Sequence, residues 1–219
     1  MGSVVAQRFD EAGWPLALLD YGEDSVRTLR KQFPDTHVDS VDLTDESAAR
    51  EAVEAVEEKA GSIGVALNIA GGFAMQPAAE ATDTDRAKMH QLNFVTLFNT
   101  TRAVLPHMQE RGGGLVLGVS AAAALDGAAQ AALYAASKAG VAAYLKSLHA
   151  ELRGDGIRTT VIYPMGVVDT PANREAMPDA DPETWIKRSE IADHMLHVAT
   201  RSPQGHVREL QIFAPSIDA

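Results

Sequence analysis

The chain has 219 residues, a formal net charge of −11 and no cysteine, with 46% apolar and 22% charged residues. That composition is globular rather than disordered, and at this length a chain buries about 70% of its extended surface, so one domain over residues 1–219 needs no disulfide or metal to hold it. The missing cysteines exclude thiolate catalysis and Cys-ligated metal, and an acidic chain whose 19 basic residues form no run is unsuited to nucleic acid or to an anionic membrane surface.

The N-terminal residues Met1–Phe9 have no basic start followed by an apolar stretch, so they do not read as a secretion signal, and Ala6 stands where a myristoylation signal wants Ser or Thr. No apolar run approaches the roughly 18 residues of a membrane-spanning helix. A cytoplasmic protein acting on a small molecule is therefore the expectation. Val4, Val5, Phe9 and Ala12 fall at helical spacing and predict a helix over residues 2–12, ended by Gly13. A short apolar strand follows over 14–19, with Asp20 at its end, and then a charged helix over 23–33.

Residues 37–42 predict a second strand, 44–60 a helix stopped by Gly61, and 65–69 a third strand that runs into Ala70-Gly71-Gly72. Thr82 and Asp85 have the spacing of a capping box, opening a helix over 83–111 that Pro106 is expected to kink. A buried strand over 115–119 precedes a long Ala-rich helix over 131–152 and a strand over 158–163. Residues 164–186, with four prolines, read as irregular; a helix over 189–200 and a strand over 207–213 complete the chain. Strands alternating with helices of this length mean parallel βαβ units, hence one doubly wound α/β domain.

Several residues could carry chemistry. Tyr134 and Lys138 are four apart and share a helix face, where an ammonium would lower the phenol pKa and make Tyr134 a proton donor and acceptor. That spacing also recurs by chance, but here it opens a helix after a strand and a Gly-containing loop. Asn93, in an apolar stretch, is either a structural amide or a holder of water or bent backbone. Asp20 is either a turn residue or an acceptor for an adenosine ribose, and the lack of a following arginine favours NAD over NADP. Gly71 and Gly72 allow close approach of backbone to a ligand. His194 and His197 with Glu190 have metal-ligand spacing, but solvated histidines explain them as well.

In order along the chain, Asp42-Leu43, Asn68-Ile69-Ala70-Gly71, Asn93 and Tyr134-x-x-x-Lys138 resemble the short-chain dehydrogenase/reductase family over nearly the whole sequence. The resemblance implies a Rossmann-like doubly wound sheet and a nicotinamide cofactor. It implies Tyr134 as the acid/base, Lys138 on the nicotinamide ribose and Asn93 behind a proton-relay water. Gly2, Asp20, Asp42, Leu43, Asn68, Ala70, Gly71 and Thr170 would line the cofactor, with NAD favoured. Within the family the chain is most similar to dihydropteridine reductases, through Ala70-Gly71-Gly72-Phe73, Ala124-Leu125-Asp126-Gly127 and the stretch from Asp169 to Arg174. This would put Phe73 beside a substrate ring and Thr170 near the nicotinamide amide.

The sequence also departs from the family. Ala121 stands at the position of the family's catalytic serine, with Ser120 one residue away, and one extra residue separates Pro164 from Thr170. Gly2 matches only the last glycine of the family's Gly-x-x-x-Gly-x-Gly turn, so the fold is expected to be N-terminally truncated, without its first central strand. The strands over 14–19 and 65–69 would then stand about 9–10 Å apart. They would pair directly, or that half would rearrange, or an upstream start would supply the strand. The functional expectation is an NADH-dependent reductase of a conjugated C=N or C=O group; the alternative is a catalytically silent relative that binds or oligomerises. The resemblance implies a homodimer or homotetramer built on helices 83–111 and 131–152, which carry apolar residues on more than one face (Phe94, Leu97, Phe98; Leu133, Val141, Leu145, Leu148).

Overall fold

The computed structural model describes residues 1–215. Helix α1 (Gly2–Glu11) buries Val5 and Phe9, and the chain turns at Gly13 into β1 (Ala17–Asp20). Helix α2 (Glu23–Gln32), acidic in its first turn and basic in its last, complements its own macrodipole and leads to β2 (His37–Ser40). Helix α3 (Glu46–Ala60) is capped by the Asp45 side chain on the Ala48 N–H, and it ends at Gly61, whose φ of +75° closes the last turn in the left-handed conformation. Strand β3 (Val65–Asn68) follows.

The capping box at Thr82 and Asp85 is present and opens α4 (Asp83–His90), which passes through a π-helical turn (Gln91–Val95) into α5 (Thr96–Glu110). Strand β4 (Gly114–Val119) leads through a short helix α6 (Ala123–Asp126) to α7 (Ala132–Leu152) and β5 (Ile157–Met165). Helices α8 (Pro171–Ala176) and α9 (Arg188–Ala199) precede β6 (Glu209–Phe213).

Every strand pairing is parallel, but the strands form two sheets, β1–β2 and β3–β4–β5–β6. Strands β1 and β3 do not pair, which sets aside the first of the three arrangements expected for them, direct pairing. One face of the larger sheet packs on α5 and α7 through Leu97, Val104, Met108, Val141, Leu145 and Leu148. The other packs on α1 and α9 through Val5, Phe9, Ile191, Met195 and Val198. Burial of these side chains is the main stabilising term. Trp14 and Leu16 join the same cluster as Val65, Leu67 and Ile69, so apolar packing spans the two sheets where hydrogen bonds do not.

A second link is polar. The buried Asn99 on α5 donates through Nδ2 to the carbonyls of Leu43 (3.0 Å) and Thr44 (3.2 Å), beyond β2, and Arg102 meets Glu46 at 2.9 Å. These contacts tie the β2–α3 corner to the larger sheet.

Three expectations are refined, for physical reasons. The stretch expected as one helix over 83–111 is helical from Asp83 to Glu110, with Pro106 inside α5, but a π turn at Gln91–Val95 interrupts its α-helical pattern. The stretch over 164–186 contains α8, started by Pro171 at its first turn and by the Thr170 cap, and its base is closed by a parallel bridge from Val168 to Ile186. Val141, Leu145 and Leu148 belong to the core rather than to an outer face of α7. Replacing Asn99 by Ala leaves two carbonyls without their donor, so urea unfolding is expected to show a loss of about 1–3 kcal/mol. An unchanged midpoint would show that the sheets are joined without help from Asn99.

Candidate active site

The site forms at the carboxyl ends of β3 and β4, where α4–α5 and α7 cross them. Its centre is the side chain of Asn93, 1% exposed, in the middle of the π turn. Its Oδ1 accepts from the Gly72 N–H at 3.0 Å, and its Nδ2 donates to the Gly72 carbonyl at 3.0 Å and to Ser137 Oγ at 3.1 Å. The amide thus grips both polar groups of one residue in the loop after β3. A π turn inserts one residue into a helix, a device frequent at functional positions. The Asn93 side chain is thus engaged with the loop and with Ser137.

The loop can lie this close only because Gly71 has no side chain. A Cβ there would stand 2.6 Å from Asn93 Oδ1 and 3.2 Å from Lys138 Nζ. The same loop is held twice more: the Gln76 N–H donates to the Gln130 carbonyl at 2.7 Å, and Gln76 Nε2 donates to Asp85 at 3.2 Å. Phe73, 58% exposed, stands edge-on to Tyr134 with ring centres 4.9 Å apart, which places the predicted substrate ring partner beside the predicted acid.

Lys138 is 6% exposed, and its Nζ donates to the Val119 carbonyl at 2.8 Å. Burial pulls its pKa down to about 8. The Tyr134 phenol is pushed up from its ordinary value, by burial. The expected lowering of the Tyr134 pKa by Lys138 is thus corrected: desolvation governs both groups. The buried Ser120 donates through Oγ to the Lys138 carbonyl at 2.8 Å, so its hydroxyl is committed to α7 and does not replace the serine missing at Ala121.

Asp20, exposed at the end of β1, accepts through Oδ1 from the Tyr21 N–H at 2.7 Å and the Gly22 N–H at 3.4 Å, leaving Oδ2 for a ligand. Asp42 turns inward on Thr44, accepting from its N–H at 2.9 Å and its hydroxyl at 2.6 Å, and the Leu43 carbonyl is taken by Asn99. Asn68 donates weakly across to the Leu117 carbonyl at 3.4 Å. Ala70 and Gly71 present exposed backbone. Gly2 begins α1, whose N-cap Met1 supplies no side-chain bond to the first N–H groups. Thr170 caps α8, its hydroxyl oxygen accepting from the Asn173 N–H at 3.1 Å, and the Thr170 hydrogen stays free to be donated. His194, His197 and Glu190 all lie on α9, and among the described residues no group of three metal-ligating side chains forms.

Sequence reasoning missed Ser137 and Gln76. Ser137 lies inside the Tyr134–Lys138 spacing and is as fully buried as Lys138, but a serine among alanines on a helix carries no signal of its own. Gly71→Ala forces a methyl group against the Asn93 amide oxygen, and overpacking of this kind costs about 1–3 kcal/mol. Thermal unfolding should show that loss; a variant of wild-type stability would mean the loop is free to move away.

A family profile described as short chain dehydrogenase matches residues 1–181. The 2-dehydro-3-deoxy-L-rhamnonate dehydrogenase (NAD(+)) of a Sphingomonas species is 30% identical over 165 residues, covering 75% of this chain and 66% of that protein. Sulfoacetaldehyde reductase 2 of Chromohalobacter salexigens is 28% identical over 224 residues, covering 96% of this chain and 88% of that protein. A gluconate 5-dehydrogenase from Burkholderia cenocepacia, solved with NADP and tartrate, superposes with a TM-score of 0.88 at 24% identity, covering 100% of this chain and 91% of that one. The profile spans most of the chain and takes in the Asn93–Tyr134–Lys138 core of the site, and on that ground the chain belongs to the short-chain dehydrogenase family.

Proposed function

We propose that the protein is an NADH-dependent reductase of a conjugated C=N or C=O group, with dihydropteridine-like substrates as the leading class. The observation that carries this reading is the convergence of Tyr134, Lys138, Asn93 and Phe73 at one end of the larger sheet. The residues present suit a nicotinamide dinucleotide. Gly71 leaves a cradle that a Cβ would fill, and Lys138 is a buried ammonium that spends one of its three donors on Val119. Asp20 keeps a carboxylate oxygen for ribose hydroxyls, and the N-terminus of α1, which no side chain caps, offers backbone N–H groups to a phosphate.

When bound, the cofactor supplies a hydride to the electrophilic carbon of the substrate. Tyr134 donates its phenolic proton to the substrate nitrogen or oxygen and is reprotonated from solvent, so hydride and proton together complete the reduction. Lys138 offers its remaining N–H bonds to ribose hydroxyls and stabilises the phenolate that Tyr134 becomes. Phe73 stacks on a flat substrate, and Thr170 donates to the carboxamide. Ala121 supplies no hydroxyl to a developing alkoxide, which favours an activated imine over a simple ketone.

The preference for NADH rests on charge. A 2′-phosphate would meet Asp20, while Arg27 pairs with Asp24 at 3.3 Å and Arg30 donates to the Val38 carbonyl at 2.9 and 3.0 Å. One observation favours a second reading, a silent relative: the dinucleotide would have to cross between β1 and β3, which are not hydrogen-bonded to each other. Under either reading we propose self-association through α4, α5 and α7, where Phe94, Phe98 and Tyr144 form a half-buried aromatic cluster with ring centres 5.7–6.2 Å apart.

Tyr134→Phe should keep the fold and lose about 100-fold or more in NADH-dependent reduction of quinonoid dihydropterin. Retained turnover would remove Tyr134 from its role. Raising the pH through about 8 strips the Lys138 charge while Tyr134, pushed up by burial, stays protonated, so kcat/KM should fall on the alkaline side. A flat profile to pH values near the ordinary lysine pKa of about 10.4 would contradict this. Light scattering should give the mass of at least two chains, and a single-chain mass would rule the proposed contact out.

A further inference from the structure

Asn93 is gripped from two sides, and only one of them is the loop. Gly72 offers one N–H and one carbonyl, which use Oδ1 and one proton of Nδ2. The second Nδ2 proton, on a side chain 1% exposed, needs another acceptor, and Ser137 Oγ is that acceptor at 3.1 Å. Ser137 is itself 4% exposed, and its own hydroxyl proton goes to the Tyr134 carbonyl at 2.8 Å. The bonds form one chain, from Tyr134 through Ser137 and Asn93 to Gly72, and Phe73 is the next residue. Phe73 then returns to Tyr134 with its ring edge-on at 4.9 Å. The loop that carries the substrate platform is thus registered against the helix turn that carries the acid.

We infer that Ser137 is a positioning residue: its hydroxyl fixes the orientation of the Asn93 amide, and through it the place of Gly72 and Phe73 relative to Tyr134. A serine bonding to a carbonyl three residues back is by itself a local helix feature. Here the same oxygen accepts from a side chain 44 positions away in sequence, on another element, and this gives it reach into the site. Remove the hydroxyl, and a buried amide proton loses its partner while the Gly72 grip loses its fixed orientation. Ser137 touches neither substrate nor cofactor in this scheme; it acts through Asn93.

The kinetic part of the test rests on the proposed reductase activity; the exchange part does not. Ser137→Ala is expected to speed hydrogen exchange at the Gly72 amide by about tenfold, the factor that the loss of one buried hydrogen bond supports. With quinonoid dihydropterin and NADH it should raise KM for the pterin by about tenfold, with kcat changed much less. Ser137→Thr, which keeps the oxygen, should restore both. In a Phe73→Ala background Ser137→Ala should no longer change KM, because the platform it positions is gone. Wild-type Gly72 exchange in Ser137→Ala, or an equal KM change with and without Phe73, would overturn the inference. If Ser137→Ala does not fold, Ser137→Thr decides: wild-type values support the inference, and altered exchange with the oxygen present contradicts it. If the wild-type protein shows no turnover, the reductase reading fails and the Gly72 exchange alone decides the role of Ser137.

Discussion

A lysine ammonium that is 6% exposed has to be held by something, and among the described residues no carboxylate pairs with Lys138. Its protein partner is the Val119 carbonyl at the end of β4, and the lowered pKa records the cost of keeping the charge there. The surroundings are arranged around this one group. Ser120 fixes the Lys138 backbone from the strand side. Gly71 yields the space that a side chain would take, and Asn93 grips Gly72 so that the space stays open. An uncompensated cation at the mouth of such a cradle favours hydroxyl-rich or anionic ligands, which is the chemistry of a nucleotide ribose.

Two buried asparagines solve similar problems at different scales. Asn93 joins a loop to a helix within the site, and Asn99, farther along the same pair of helical segments, joins the β2–α3 corner to the larger sheet. Each donates to backbone carbonyls that lie outside any ladder. The separation of β1–β2 from β3–β6 gives Asn99 its importance: without strand pairing, the links described between the two parts are apolar contacts, such bonds and the Arg102–Glu46 ion pair. The position of Asp20 relative to Lys138, and hence the span available to a dinucleotide, depends on them.

Much of this was legible in the sequence. Period and punctuation located every strand to within a few residues, because most are short apolar runs, β1 and β3 closing on Asp20 and Asn68 and β5 running into Gly166, and the Thr82–Asp85 box announced its helix outright. Tyr134, Lys138 and Asn93 came from spacing together with family likeness. What sequence could not show was three-dimensional competition. Nothing in Gln91–Val95 marks a π turn; it forms where the Asn93 side chain bonds to a glycine 21 positions earlier. The phenol pKa went the wrong way because spacing predicts proximity to Lys138 but not the burial of Tyr134 and Lys138 together. A run of alanines over 121–124 carries no periodicity and hid α6, and Ser137 looked like filler between two notable residues.

The most direct measurement is calorimetric titration of the 219-residue chain with NADH, set beside the same titration of Lys138→Met. The account predicts micromolar binding by the wild-type chain and a clear weakening when the buried cation is replaced by an apolar side chain of similar length. Absence of heat at millimolar NADH, or equal binding by the two proteins, would contradict the claim that this cradle is built around Lys138 to hold a nicotinamide dinucleotide.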